Sequence, residues 1–287
     1  MKVVEITYRY AGSDATARPR PADAEGARER LDQGSRAMSA LLDASSEDGG
    51  TARRIIAVDA RDLGLQPGAK RAPEQRPYAA VLGCSDARVP IELIFNEGPN
   101  DLFVIRVAGN GLGAEVLGSL SYAVDHLGRS LKLVVVLGHS GCGAVSAAVD
   151  VVLNPRSYLA LAERHALRGI LDRLLVVVYS AAKKMIAVHG PDATGRPGYR
   201  EALIEAAIVL NAALAAYTVQ QELGAERQGL RATYGVYLLA EHSIWAPRVG
   251  SSECAGLAYP PLDDDAFGEF ADAVVRSPRI LSLLERA

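Results

Sequence analysis

The 287-residue chain is poor in cysteine and nearly balanced in charge, and each shortage excludes a class of protein. Three cysteines, Cys84, Cys142 and Cys254, cannot build the disulfide framework of a small secreted domain, which leaves metal binding or burial as their use. A formal net charge of -3 and the lack of a dense Lys/Arg cluster give nucleic acid no electrostatic footprint, so no nucleic-acid partner is expected. The opening MKVVEITYRYAGSD sets Lys2, Glu5 and Arg9 among its apolar residues and lacks the unbroken apolar core of a secretory signal; the expected setting is cytoplasmic. Uncharged runs long enough for a membrane are missing too. LLVVVYSAA (174–182) is about half of the roughly 20 residues a span needs and runs into Lys183-Lys184, while ALIEAAIVLNAALAAYTV (202–219) carries Glu205 and Asn211. Both read as core or subunit-interface helices, with no membrane partner.

What is present is ordinary soluble material, 49% hydrophobic and 23% charged, enough for one sizeable core. Residues 1–52 read as an arm with one helix, ARERLDQGSRAMSALLD (27–43), between loop-like stretches at 11–26 and 43–52, and as part of the same unit as the rest of the chain. From residue 53 to 287 a single α/β domain is expected. Strands are read at RRIIAVDA, YAAVLG, DLFVIRVAG and LKLVVVLG, with helices between them at 90–95 and 114–127. Strands that run continuously apolar and alternate with helices imply a mostly parallel sheet with helices on both faces. Beyond residue 142 the chain turns helical, then RATYGVYLLA and HSIWAP read as a strand and its continuation or partner, and DDDAFGEFADAVVRSPRILSLLERA as a closing helix. No internal repeat, low-complexity tract or linker breaks this order.

The loop in VVVLGHSGCGAVS (134–146) invites three readings. A nucleophile elbow needs G-x-S-x-G, and Cys142 stands where the last glycine belongs. A phosphate loop needs a lysine after its final glycine, and none follows Gly143. The third reading, H-x-x-C at the start of a helix, points the His139 imidazole and the Cys142 thiol toward one place. It is weak alone, but groups in open α/β sheets collect beyond the carboxyl ends of the strands, and Cys84-Ser85-Asp86-Ala87-Arg88 directly follows YAAVLG.

Two thiolates and one imidazole suit Zn2+, and three protein ligands leave a position for water or substrate. Cys84, His139 and Cys142 are therefore the candidate metal ligands. A helix N-terminus at Cys142 would favour its thiolate. Asp86 and Arg88, at two-residue steps from Cys84, would lean to the same side in extended backbone. A carboxylate held by a guanidinium stays ionised and can accept a hydrogen bond from a zinc-bound hydroxide, so these two are the candidate catalytic pair.

Together these motifs resemble the β-class carbonic anhydrases: CSDARVP is similar to that family's C-x-D-x-R segment, VVVLGHSGCGAV to its H-x-x-C loop, and DLFVIRVAGN and VLGSLSYAVDHLG to the strand and helix between them. The similarity is strong over residues 78–147 and weaker over about two thirds of the chain, including ARERLDQGSR and YGVYLLAEHSIW. The resemblance implies a sheet of four parallel strands plus an antiparallel one, a homodimer or higher homo-oligomer, and zinc-dependent interconversion of carbon dioxide and bicarbonate. It implies Cys84, His139 and Cys142 on zinc, the Asp86–Arg88 dyad, and Asp86 as a fourth ligand where the site is closed. Carbonyl sulfide or carbon disulfide hydrolysis at the same site, and an idle zinc scaffold working through partner contacts, are the alternatives. Departures include Ala87 in place of a common Ser, Asn96 in place of Gln, GSRAM in the first helix, and a longer segment at 150–200. The only tryptophan is Trp245, and the allosteric bicarbonate pocket of some members is not recognisable. His126, His165, His189 and His242 read as structural, Cys254 as a free thiol, and Lys183-Lys184 as a solvated helix end.

Overall fold

The structure is a computed structural model that describes residues 3–11, 18–44, 51–65, 68, 70–161, 165–224, 229–247, 249 and 256–286. It begins with β1 (Val3–Ala11), α1 (Ala24–Ala44) and β2 (Thr51–Asp59). β1 and β2 pair in parallel as a two-stranded sheet of their own. Two sequence expectations are corrected here. Residues 3–11 form a strand that the apolar pattern does not announce, and RRIIAVDA lies outside the central sheet. The reason is in the burial: Ile56 and Val58 are buried while Arg53 and Ile55 are exposed, the alternation of a half-covered strand.

The central sheet comes next, with β3 (Ala79–Gly83), α2 (Ile91–Ile94), β4 (Leu102–Arg106), α3 (Ala114–Leu127) and β5 (Leu133–His139). After it stand α4 (Gly143–Leu153), α5 (Arg156–Leu161), α6 (His165–His189) and α7 (Tyr199–Gly224). β6 (Arg231–Leu238), β7 (Ser243–Trp245), α8 (Asp264–Val275) and α9 (Pro278–Leu284) complete the chain. The strand order is β4-β3-β5-β6-β7, parallel throughout except for the antiparallel β6–β7 pair. Four parallel strands and one antiparallel strand are thus present, with β6 as the fourth. The expected closing helix is two helices: Ser277 caps α9 through its hydroxyl, and Pro278 occupies the first turn.

Side chains of β3 and β5 alternate between two cores, as the pleat requires. Ala80, Leu82, Val134 and Val136 join the core under α3, α4, α6 and α7, and Ala79, Val81, Leu133 and Val135 join a second core with Leu31 of α1 and Ile91 of α2. α7 is long and apolar enough to cross a membrane by length and composition, yet its apolar window is 83% buried inside the fold. Gly138 lets it approach the sheet: a Cβ there would lie 3.2 Å from Ile208 Cγ2. The Lys183-Lys184 pair sits inside α6 rather than at its end, with Lys184 Nζ 3.2 Å from Asp272. His126 stacks on Tyr122 and His189 Nε2 lies 2.9 Å from the Val275 carbonyl, both structural contacts. Cys254 lies outside the described residues.

Candidate metal centre

β3 and β5 are hydrogen-bonded neighbours whose register pairs Gly83 with Leu137, so their carboxyl ends deliver Cys84 and His139 to one edge. Gly141, at φ +63°, turns the chain sharply between His139 and α4, where a residue with a Cβ would be strained. Cys142 then stands as the N-cap of α4. The ligand atoms of Cys84, His139 and Cys142 all lie within 4.8 Å of one another, and all three residues are buried.

The donor set fits a tetrahedral metal ion. Two sulfurs bound at about 2.3 Å to such an ion stand about 3.8 Å apart, and the two Sγ atoms are 3.9 Å apart. The His139 Nδ1 lies 3.0 Å from the Ser140 carbonyl, to which it donates. That bond fixes the tautomer with a lone pair on Nε2, and Nε2 is buried without a hydrogen-bond partner. An orphaned acceptor aimed at two thiols is an arrangement that a cation satisfies. The Cys84 thiol is pulled down to about 4, first by the hydrogen bond from Cys142 and against desolvation, with the Gly109 amide also donating to it at 3.4 Å. Cys142 is pushed up by the same contact. Without a cation the pair keeps one proton; binding a metal releases it.

Asp86 and Arg88 meet here too, but not by extended alternation. Residues 86–89 turn, with the Val89 amide donating to the Asp86 carbonyl and the Arg88 amide to Asp86 Oδ1 at 2.9 Å. The Arg88 guanidinium donates to both carboxylate oxygens, at 2.9 Å and 2.7 Å. This holds the Asp86 carboxyl well below the usual carboxylate range, chiefly through Arg88. Asp86 Oδ2 is 3.8 Å from His139 Nε2 and partly exposed, at the mouth of the buried triad. The group that could hold a metal ion is Cys84, His139 and Cys142, and Asp86, with both oxygens accepting from Arg88, stands next to it.

Three residues that sequence reasoning did not place at the site support it. Arg106 Nε donates to the Cys84 carbonyl at 2.9 Å, and its other nitrogen to the Asp86 carbonyl. Asn211 Nδ2 donates to the Gly109 carbonyl at 3.0 Å, holding the turn whose amide faces Cys84. Glu205 Oε1 accepts from the Gly141 amide at 2.8 Å, and its other oxygen accepts from Arg279. The signal for Glu205 and Asn211 lies in the sequence as polar residues on an otherwise apolar helix. Ser140 is structural: its hydroxyl accepts from the Leu239 amide at 2.9 Å, tying the loop to the end of β6.

The carbonic anhydrase family profile matches residues 79–229, more than half of the chain, a span that holds Cys84, Asp86, Arg88, His139 and Cys142. The chain belongs to the β-carbonic anhydrase family. Over 78 residues it is 49% identical to carbonic anhydrase 2 of Mycobacterium tuberculosis strain H37Rv, a match covering 27% of this chain and 37% of that protein. Over 89 residues it is 45% identical to a carbonic anhydrase of Mycolicibacterium smegmatis, covering 31% and 42%. The chain thus spans less than half the length of these curated relatives. A tetrameric β-carbonic anhydrase of Sordaria macrospora aligns at 23% identity and TM-score 0.46, over 60% of this chain and 80% of that one.

Proposed function

We propose that this β-carbonic anhydrase family member catalyses the reversible hydration of carbon dioxide to bicarbonate, with Zn2+ held by Cys84, His139 and Cys142. The observation that carries the reading is the buried Cys–His–Cys group with its orphaned Nε2, set beside a carboxylate that Arg88 keeps ionised. A bound zinc ion supplies Lewis acidity that brings the pKa of water toward ~7. The residues do the rest. Asp86 Oδ2 would accept a hydrogen bond from the hydroxide that remains once the ionised water has given its proton to bulk solvent or buffer, and because Arg88 stabilises its charge it would orient that nucleophile while itself staying ionised. Arg88, largely exposed, holds Asp86 from the solvent side. Arg106 holds the Cys84 and Asp86 carbonyls, fixing ligand and orienting carboxylate as one unit. Free thiols as ligands suit a reducing compartment, so we assign the protein to the cytoplasm.

The test is zinc content by mass spectrometry alongside stopped-flow hydration of carbon dioxide for wild type and Asp86→Ala. The reading expects about one zinc per chain in both and turnover lost by about 100-fold or more in the variant. Equal rates in the two proteins would favour the idle scaffold. Turnover of carbonyl sulfide or carbon disulfide without carbon dioxide hydration would move the substrate.

A further inference from the structure

α6 lies in the 150–200 segment, and its inner face is spent on the core: Leu171, Leu174, Val178, Ala181 and Met185 are buried. Its outer face carries a second stripe at 169, 172, 176, 179, 183 and 186. The steps are three, four, three, four, three, the spacing of an a/d seam that faces another helix. Val176 is 68% exposed, Tyr179 59% and Ile186 38%, so the seam presents large apolar side chains to solvent rather than the usual scatter of single ones.

The stripe is complementary to itself. Placed antiparallel on a second copy about a two-fold axis between residues 177 and 178, it forms three kinds of layer, each an a position against a d position. Val176 meets Tyr179 of the partner subunit, and Asp172 meets Lys183 of the partner subunit. Gly169 meets Ile186 of the partner subunit. Each layer answers a need. A Cβ at Gly169 would meet nothing within 4 Å in one copy, so the glycine leaves a gap for an isoleucine from outside. Opposite charges face each other at both ends of the apolar centre. A shift by one heptad in either direction sets Asp172 against Gly190 or Val176, and a parallel arrangement stacks Asp172 on Asp172 and Lys183 on Lys183. Charge pattern therefore selects one register and one direction.

We propose that the outer face of α6 is an antiparallel self-association surface, joining two copies of this chain through Val176 and Tyr179 with flanking Asp172–Lys183 pairs. Within one copy Asp172 already accepts from the Tyr158 hydroxyl at 2.8 Å and lies 3.6 Å from Arg168 Nε on its own helix, and the Lys183 ammonium lies 5.6 Å from the Tyr179 ring centroid. These contacts hold the charges on the seam. From Gly169 to Ile186 the stripe is about 26 Å long. One helix face of that length falls short of the ~800 Å² per partner of a standard interface, so micromolar association is expected.

Sedimentation equilibrium of the full-length protein across micromolar concentrations tests this. Val176→Glu and Lys183→Glu are each expected to weaken one association step by about ten-fold or more, while far-ultraviolet circular dichroism stays unchanged. The Cβ of Gly169→Gln meets nothing within 4 Å in the single copy, and the side chain is expected to weaken the same step by filling the gap. The double variant Asp172→Lys, Lys183→Asp restores opposite charges across the axis and is expected to recover association to within about three-fold of wild type. Association unchanged in Val176→Glu and Gly169→Gln, or no recovery in the charge exchange, overturns the proposal.

Discussion

Asn211→Leu is the sharpest single perturbation of the metal centre that leaves every ligand in place. Asn211 is 8% exposed in the middle of an apolar helix, and its Nδ2 donates to the Gly109 carbonyl. Leucine keeps the same branched skeleton of four side-chain heavy atoms, with bulkier methyl ends; what is lost is the donor. A buried carbonyl without a partner costs about 1–3 kcal/mol. At about 2 °C per kcal/mol for a chain of this size, the melting temperature should fall by roughly 2–6 °C. The second effect is local. Gly109 is the residue whose amide faces Cys84 Sγ, so a loosened turn weakens that thiolate, and such supporting bonds typically carry about 10–100-fold in metal affinity. Competition with a chromophoric chelator measures zinc affinity directly. Asn211→Asp should be at least as damaging as Asn211→Leu, because it faces a carbonyl with a carboxylate. Zinc affinity within about two-fold of wild type in both variants would refute the link from α7 through Gly109 to the metal.

Glu205→Ala removes the acceptor of the Gly141 amide and one of the two carboxylates that Arg279 engages, Glu241 remaining, so urea denaturation should show a loss of about 1–3 kcal/mol. Gly138→Ala places a Cβ 3.2 Å from Ile208 Cγ2 and should destabilise by about 1–3 kcal/mol through displacement of α7, read in the same assay. Cys142→Ser should abolish stoichiometric zinc while the chain still folds, checked by metal analysis and circular dichroism. The Glu25 carboxyl is held down to about 2, first by the hydrogen bond from Arg28 and next by that from Tyr259. Because its folded value lies below the unfolded one, its contribution is present above the ordinary carboxylate range and lost as pH falls toward 2; carbon-13 NMR titration should find it ionised at pH 3.5, whereas a midpoint near 4 would contradict the contact.

The sheet edge was legible because chemistry and strand ends coincide in the sequence. YAAVLG runs straight into Cys84, and LKLVVVLG into His139, so two apolar runs and the rule that functional groups lie beyond parallel strand ends were enough to bring the ligands together. The Asp86–Arg88 pair was legible as a pair, but its geometry was not: the turn at 86–89 closes through an Asx contact from the Arg88 amide, which alternation cannot express. RRIIAVDA resembled a sheet strand because Ile55, Ile56 and Val58 are β-branched and close together. Its partner is β1, whose own residues are mostly exposed and carry no core signature. The supporting residues were hidden for another reason. Asn211 and Glu205 read as interruptions of an apolar helix, and only the approach of α7 to the Gly109 and Gly141 turns gives those interruptions a purpose.

The most direct measurement is the initial rate of carbon dioxide hydration by the same preparation before chelation, after chelation and after addition of one equivalent of zinc. The account predicts catalysis that disappears with the metal and returns with it. A fully zinc-loaded, folded protein with no rate above the uncatalysed reaction would contradict it.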